Sequence, residues 1–489
     1  MGRVRVGIRA CLVVLSLLGL TVPGVAAAGT DPRGLDPAAV DRFIEDYRAH
    51  TGLPGVTVAI TKGREVVHTA GYGHDSSGAA LTAHTRMPIA SLSKSFTALG
   101  LLQLVEAGRV ELDAPVRRYL PEFHTADSRG ERITVRQLLN QTSGMADTAY
   151  PDLRMPQAHD LTGAVERLGE ARLADDPGTR FHYHNPNYQV AARIIEVVSG
   201  IPYAQYLRER VLTPLGMRDT DTVNTAADAK DVAHGYIRVF GLPVAEPEPD
   251  WFVGGSHGMI TTAADIAQWL IAQNNGGTAQ NGTSVLSPTS IELTHKPSER
   301  EDYGMGWWQG KSDDAVRIYH TGDWFTYTAE QILLPESGYG IAILADTGLA
   351  VEGDVSVLAN GLVALAQGHE PTVRYPGGVY ADWVLAALSL GGVAAGGFAI
   401  VRSRRWAQRR KGEHTWRTIA RFVPYLAPAA ILALLPQLAG YVFAGRAGNF
   451  IHVMYVWPAL VISLGVGTIT GLAVVIARGI RLATRRSAE

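Results

Sequence analysis

Cysteine is almost missing from this chain: Cys11 is the only one in 489 residues, and it lies inside the first apolar segment. Once that segment is removed no thiol remains, which excludes cysteine nucleophiles, thiolate-held metals and disulfides. Net charge is also scarce, at -2, but the near-neutrality is a cancellation. From Val384 onward thirteen Lys and Arg face two acids, a net of +11, which leaves -13 for Met1 to Trp383. An acidic body of that kind argues against nucleic acid as a partner. Between Gly29 and Gln367 there are no internal repeats and no low-complexity tracts, so this stretch reads as one large domain.

Both ends carry what the middle lacks. The opening "MGRVRVGIRACLVVLSLLGLTVPGVAAAGTD" has Arg3, Arg5 and Arg9, a short apolar core and small residues ending at Ala28. That is the layout of a secretory signal over 1–28, and the apolar core is short for a membrane span. At the other end three apolar runs, about 383–401, 422–444 and 451–476, each approach the twenty residues a bilayer needs. Eight basic residues from Arg402 to Arg421 separate the first two runs, whereas the turn between the second and third has only Arg446. Positive charge favours the cytoplasmic side, so the basic loop and the Arg478 to Arg486 tail are expected inside and everything before Trp383 outside. The signal predicts the same side. Tyr380, Trp383, Tyr441, Tyr455 and Trp457 cluster at the expected outer interface. The division expected is a domain over 29–370, a Pro- and Gly-bearing linker over 371–382 and a membrane domain over 383–489.

The domain opens with an amphipathic helical pattern, "DPAAVDRFIEDYRAHTG", followed by strand-like "GVTVAITKG" and "EVVHTAGYG". Helical stretches follow, including "SLSKSFTALGLLQLVEAG", "TVRQLLNQTSG" and "PNYQVAARIIEVVSG", each closed by a glycine. Strands return in "AEQILLPES" and "YGIAILAD". Strand, helical middle, strand predicts an antiparallel sheet whose two ends pair around an inserted helical region.

Lys94 is out of place in its apolar helix, one turn after Ser91. Three residues apart on a helix, the amine returns to the face of the hydroxyl, and a neutral amine there can take the serine proton. Desolvation would lower the lysine pKa toward working pH. S-x-x-K alone is weak, because the spacing recurs by chance in long chains. Two further elements follow it in order: "FHYHNPNY", with Tyr183 and Asn185, and "IYHTGDWF", with His320, Thr321 and Gly322 just before a strand.

With these three motifs, and with "ITVRQLLNQTSGM", "VLTPLGMRDT" and "GMITTAADIAQWL" between them, the chain from about Asp36 to Leu365 resembles the serine beta-lactamase and penicillin-binding protein superfamily, in its class C-like branch. The resemblance implies an α/β (α+β) fold, an antiparallel sheet with flanking helices plus an inserted all-α subdomain, here followed by three transmembrane helices. It implies Ser91 as nucleophile, Lys94 as its base and Tyr183 as proton relay, with Asn185 binding substrate amides and the amides of Ser91 and Asp323 as oxyanion donors. His320, Thr321 and Gly322 would line the substrate site, and no metal or cofactor is implied. Departures bear on specificity. Many beta-lactamases have lysine where His320 stands, Gln141 replaces a common histidine, and His257 follows Ser256 where glycine is common. Ser256 and His257 are expected to edge the pocket and select a polar side chain, unless His257 is a solvent-facing loop residue. Trp251, Trp307, Trp308 and Trp324 could form an apolar wall or pack in the core.

Signal, catalytic domain and three spans together are similar to membrane-bound peptidases that mature nonribosomal peptide products, of the colibactin-maturing type. Those enzymes remove an N-acyl-amino-acid leader, often acyl-D-asparagine. That resemblance implies an acylated peptide or peptide-like small molecule as substrate and the bilayer as partner, and leaves the oligomeric state open. A D-alanyl-D-alanine carboxypeptidase, an esterase and a beta-lactam sensor that acylates without turnover are the competing readings of the same residues.

Overall fold

Val56, Val58 and Ile60 alternate with Thr57, Ala59 and Thr61 along one strand, and that alternation sorts the core into two layers. The computed structural model describes residues 34–486 apart from 313–314, 349–351, 411–412 and 443–447. The secretory segment expected over 1–28 lies outside the described residues. The main sheet comprises β1 (Gly55–Lys62), β2 (Glu65–Gly73), β3 (Trp308–Ser312), β4 (Ala315–Asp323), β5 (Thr328–Leu334) and β6 (Tyr339–Ala345). Its order is β2-β1-β6-β5-β4-β3, antiparallel throughout. β1 and β6 pair from Val56 with Ala345 to Lys62 with Tyr339, so the two ends of the domain join as the sequence pattern predicts.

One face of the sheet carries Val56, Val58, Ile60, Ile341 and Ile343 against α1 (Pro37–Thr51) and the later helix Asp354–Ala366. Asp36 caps α1, and Gly52 ends it in the left-handed conformation at φ 68°. The other face carries Ala59, Ala329, Ala342 and Leu344 into the larger core, which includes α2 (Ser93–Glu106), α3 (Pro186–Ser199) and α4 (Ala263–Asn274). α2 is buried on nearly every side, the property of a central core helix. Two expectations shift. "TVRQLLNQTSG" makes only the short helix Val135–Leu139, which ends at Asn140 and not at the glycine. His320, Thr321 and Gly322 lie within the end of β4 and not before a strand, in register with Gln331, Glu330 and Ala329.

After α5 (Asp354–Ala366) the chain reaches the apolar helices. α6 spans Gly377–Val401, so helix already covers half of the stretch expected as linker. The second run is a pair, α7 (Val423–Ala433) and α8 (Leu435–Val442), bent by 68°. Pro436 explains the break, since it has no N–H to continue the hydrogen-bond ladder from α7 and suits the first turn of a new helix. The third run divides into α9 (Phe450–Val456) and α10 (Pro458–Arg486). Trp457, at φ -147° and ψ 70°, is forced out of the helix by the proline that follows it. Two helices, or three if the bent pair counts as one span, are long and apolar enough to cross a membrane.

The two parts of the chain touch. Asp382, at the start of α6, accepts from the Trp457 indole at 2.9 Å and from the Gly241 amide at 3.1 Å. Tyr455 donates to the Pro247 carbonyl at 2.9 Å, and Arg154 donates to the Pro436 carbonyl at 2.8 Å. Pro436 of α8, Tyr455 of α9 and Asp382 of α6 therefore rest on the domain that precedes them.

Candidate active site

Ser91 sits in the single turn Ala90–Leu92 that leads into α2, and Ala90 before it has φ 46°, a conformation that L residues seldom adopt. Ser93 fixes that turn, donating to the Ala90 carbonyl and accepting from the Met259 amide at 3.0 Å. Lys94, fully buried, places Nζ 2.9 Å from Ser91 Oγ and donates to the Ser256 carbonyl at 3.0 Å. The Ser256 carbonyl takes one N–H, and in the uncharged form the lone pair of the amine can face the serine hydroxyl. The ammonium-sized group also lies 4.9 Å from the centre of the Tyr183 ring and 5.8 Å from that of Tyr188.

β4 supplies the opposite wall. A Cβ built on Gly322 would lie 2.3 Å from the Ile89 carbonyl oxygen and 3.1 Å from the Ser91 amide nitrogen, so only glycine lets this strand approach the nucleophile. Asp323, the next residue, is thereby brought to the same end of the site. His320 is buried, with Nδ1 2.6 Å from the Thr321 carbonyl. A carbonyl only accepts, so this network assigns the ring proton to Nδ1 and makes Nε2 of the neutral ring an acceptor. Two phenols face it, Tyr303 at 3.3 Å and Tyr183 at 3.5 Å. Burial pushes Tyr303 well above the usual phenol range, so it stays protonated. Tyr303 was not legible as a site residue, because its sequence surroundings carry no motif. Trp308 stacks parallel to Tyr183 at 6.4 Å and fixes its plane.

Asn185 precedes α3 and is buried, and its Oδ1 has no hydrogen-bond partner among the described residues. An acceptor so placed suits a substrate N–H. Gln141, at φ 61°, accepts from the His184 amide at 3.0 Å and from Asn187 at 2.6 Å, holding the Tyr183–Asn185 segment. His257 is not a solvent-facing loop residue. It is buried, with Nδ1 2.8 Å from Ser256 Oγ, its carbonyl accepting from the Trp324 indole and its ring 4.9 Å from Trp251. The tryptophans divide: Trp251 and Trp324 join His257, Trp308 backs Tyr183, and Trp307 turns its face to His295 in the core.

From His257 the aromatic wall continues through Trp251 to Phe325, 5.4 Å apart, and from Phe325 to His452 of α9, stacked at 4.9 Å. Glu248 staples this wall. Its carboxylate accepts from the amides of Phe325 and Thr326, each at 2.9 Å, from the Thr326 hydroxyl at 2.7 Å and from the Trp251 indole at 3.1 Å. Burial lifts the Glu248 carboxyl from its ordinary 4.5 to about 7, against the pull of those donors. With the folded pKa raised, the contribution of Glu248 to stability is complete below 4.5 and declines as the pH rises through 7. Glu248→Gln, which puts an amide donor against existing donors, is expected to cost about 1–3 kcal/mol. The gap in melting temperature between native chain and variant should be wider below the window than above it, and a gap that widens with rising pH would contradict this account.

Residues 40–363 match the protein family described as Beta-lactamase. The chain belongs to that family, whose fold the antiparallel sheet and helices reproduce and whose members are serine hydrolases. Among its relatives, Protein flp of Staphylococcus aureus is 29% identical over 312 residues, covering 63% of this chain and 62% of that protein's length. Penicillin-binding protein 4 of Amycolatopsis lactamdurans is 29% identical over 353 residues, covering 67% of this chain and 90% of the other. Among solved structures, the octameric penicillin-binding protein homologue from Pyrococcus abyssi is similar at a TM-score of 0.57 and 26% identity, covering 72% of this chain and 82% of that one. The D-alanine carboxypeptidase AmpC of Burkholderia cenocepacia shares the fold at a TM-score of 0.52 and 22% identity, covering 64% of this chain and 93% of that one.

Proposed function

We propose that this chain is a membrane-anchored serine amidohydrolase, its catalytic domain on the outer face, that removes an N-acyl-amino-acid leader from an exported peptide-like precursor. In the first step Ser91 Oγ bonds to the substrate carbonyl carbon while its proton passes to Lys94 Nζ. The amides of Ser91 and Asp323 hold the oxyanion. The C–N bond then breaks, the departing amine takes a proton relayed through Tyr183, and water later releases the acyl group from Ser91. Asn185 meets a substrate N–H. An imidazole at His320 gives a weaker anchor for a substrate carboxylate than the permanent cation of a lysine would, which favours a neutral amide over a beta-lactam.

The observation that carries the choice of substrate is the wall from His257 through Trp251 and Phe325 to His452, which runs from beside the Lys94 partner Ser256 to the membrane-proximal helix α9. A substrate with an acyl chain in the bilayer and a polar residue near His257 fits that path, and tethering the cleft at the surface raises its effective concentration. The test compares kcat/KM for the purified full-length protein across four substrates. A long-chain N-acyl-D-asparaginyl amide is expected to exceed its L-epimer and its short-chain analogue by about tenfold or more. Equal rates on all three, or preference for a D-alanyl-D-alanine peptide, would return the enzyme to the esterase or cell-wall reading.

A further inference from the structure

The end of the apolar helices far from Ser91 carries a second cavity. α6 runs 25 residues from Gly377, where its amide donates to Glu352 of the catalytic domain, to Val401. At about 1.5 Å per residue its far end lies some 37 Å away, on the opposite face of a bilayer. There a cavity of about 520 Å³ is lined by six arginines, Arg402, Arg405, Arg409, Arg410, Arg421 and Arg478, against one acid, Glu413. Glu413 answers Arg421 at 2.8 Å with one oxygen and faces Arg410 Nε at 3.6 Å with the other, so that one acid serves two of the six. The Arg478 guanidinium is packed between rings, 4.6 Å from the centre of Trp406 and 4.9 Å from that of Tyr425, and the Arg410 guanidinium lies 4.2 Å from the centre of the Trp406 ring, four residues earlier in the chain.

Arg478 is 8% exposed, and its Nε is buried without a hydrogen-bond partner among the described residues. A buried guanidinium donor on the wall of a cavity with five excess positive charges calls for an anion, and arginine presents the fork that matches phosphate. A soluble anion needs nothing more. This cavity, however, shares Ala395 and Tyr425 with a second one of about 420 Å³ that runs between α6, α7 and α10. Leu388, Val393, Pro428, Leu460 and Leu464 line that groove, and Gly392 on its wall has open space where a Cβ would stand. A basic chamber opening into an apolar trough between helices has the shape and polarity of a phospholipid, headgroup at one end and acyl chain along the other.

We infer that the arginine cavity and the groove together form a binding site for an anionic phospholipid of the leaflet facing away from the catalytic domain. The phosphate sits on Arg478 and Arg410, and one acyl chain fills the trough beside Gly392. The site is independent of the active-site chemistry. The test uses the full-length protein in detergent, with thermal unfolding and native mass spectrometry in the presence of phosphatidylglycerol, phosphatidylcholine with the same chains, or inorganic phosphate. Phosphatidylglycerol is expected to be retained and to stabilise at concentrations at least tenfold below phosphatidylcholine, with no effect of inorganic phosphate. Arg410→Gln with Arg478→Gln should abolish the preference between the two lipids. Gly392→Leu should weaken both lipids while leaving the lipid-free melting temperature within a few degrees, which separates lost binding from lost folding. Equal retention of both lipids, or a preference that survives the double substitution, would overturn the site. Stabilisation by inorganic phosphate that also displaces phosphatidylglycerol would replace it with a soluble-anion site.

Discussion

Ser91→Ala is expected to abolish covalent labelling of the full-length protein by a fluorophosphonate and to eliminate turnover, while the melting temperature stays close to that of the native chain. The reasoning is geometric. Ser91 Oγ is the group 2.9 Å from Lys94 Nζ, and Ser91 makes up the middle of a turn whose shape is held by Ser93, Ala90 and Met259. Removing one hydroxyl leaves that scaffold in place. Lys94→Met, which keeps the length of the side chain in a fully buried position, should lower acylation by about 10² to 10⁴, the range of general acid–base groups. Tyr183→Phe should lower turnover by a similar factor, because Trp308 still stacks on the ring while the hydroxyl that relays the proton and faces His320 is lost. Labelling that persists in Ser91→Ala, measured by intact mass, would end the nucleophile assignment.

Which of these groups could be read from letters follows from how local their constraints are. Ser91 and Lys94 share one helical turn, so three-residue spacing already places the amine beside the hydroxyl. Tyr183 and Asn185 flank the start of α3, and Pro186 marks that start. The sheet was legible because Val56, Val58 and Ile60 alternate with smaller and polar residues, and a one-residue slip would turn all of them over. Long-range partners were not. The Ser256 carbonyl that receives Lys94 is a backbone atom 162 residues away, and no side-chain pattern announces it. Tyr303 becomes the second phenol on His320 only because β3 and β4 fold back on each other. The helix boundaries near the membrane moved for a local reason that hydropathy ignores: Pro436 and Pro458 interrupt runs whose mean apolarity is unbroken.

Gly322→Ala should be nearly as damaging to catalysis as loss of a catalytic side chain, although it adds one methyl group and touches no proton-transfer atom. No backbone strain is involved, since Gly322 does not hold a left-handed conformation. What the glycine permits is approach. The added carbon would lie 2.3 Å from the Ile89 carbonyl oxygen, 2.9 Å from Leu92 Cδ1 and 3.1 Å from the Ser91 amide nitrogen, and the first of these is a backbone atom that no rotamer change can move. Either β4 or the Ile89–Leu92 turn must therefore retreat. Since Ser91 and Asp323 bracket that contact, their two amides spread apart, and an oxyanion held by both keeps one. Loss of a single oxyanion donor typically costs about 10²–10³ in turnover. The expected signature is a fall in kcat of that size with the nucleophile–base pair intact, because the Lys94 to Ser91 contact lies within α2 and its leading turn and is not strained by a shift of β4. Fluorophosphonate labelling, whose phosphoryl oxygen uses the same two donors, should slow in parallel with amide hydrolysis. Gly306→Ala gives the control: its Cβ, at φ 85°, would meet Ser95 Cα at 2.7 Å and the Lys94 carbonyl carbon at 2.9 Å, backbone of α2 and not the Ile89 carbonyl or Ser91 amide that Gly322 approaches. That change is expected to lower the melting temperature more than Gly322→Ala does and to lower kcat less. If Gly322→Ala leaves kcat within a factor of about two of the native enzyme, the amide of Asp323 is not part of the oxyanion site.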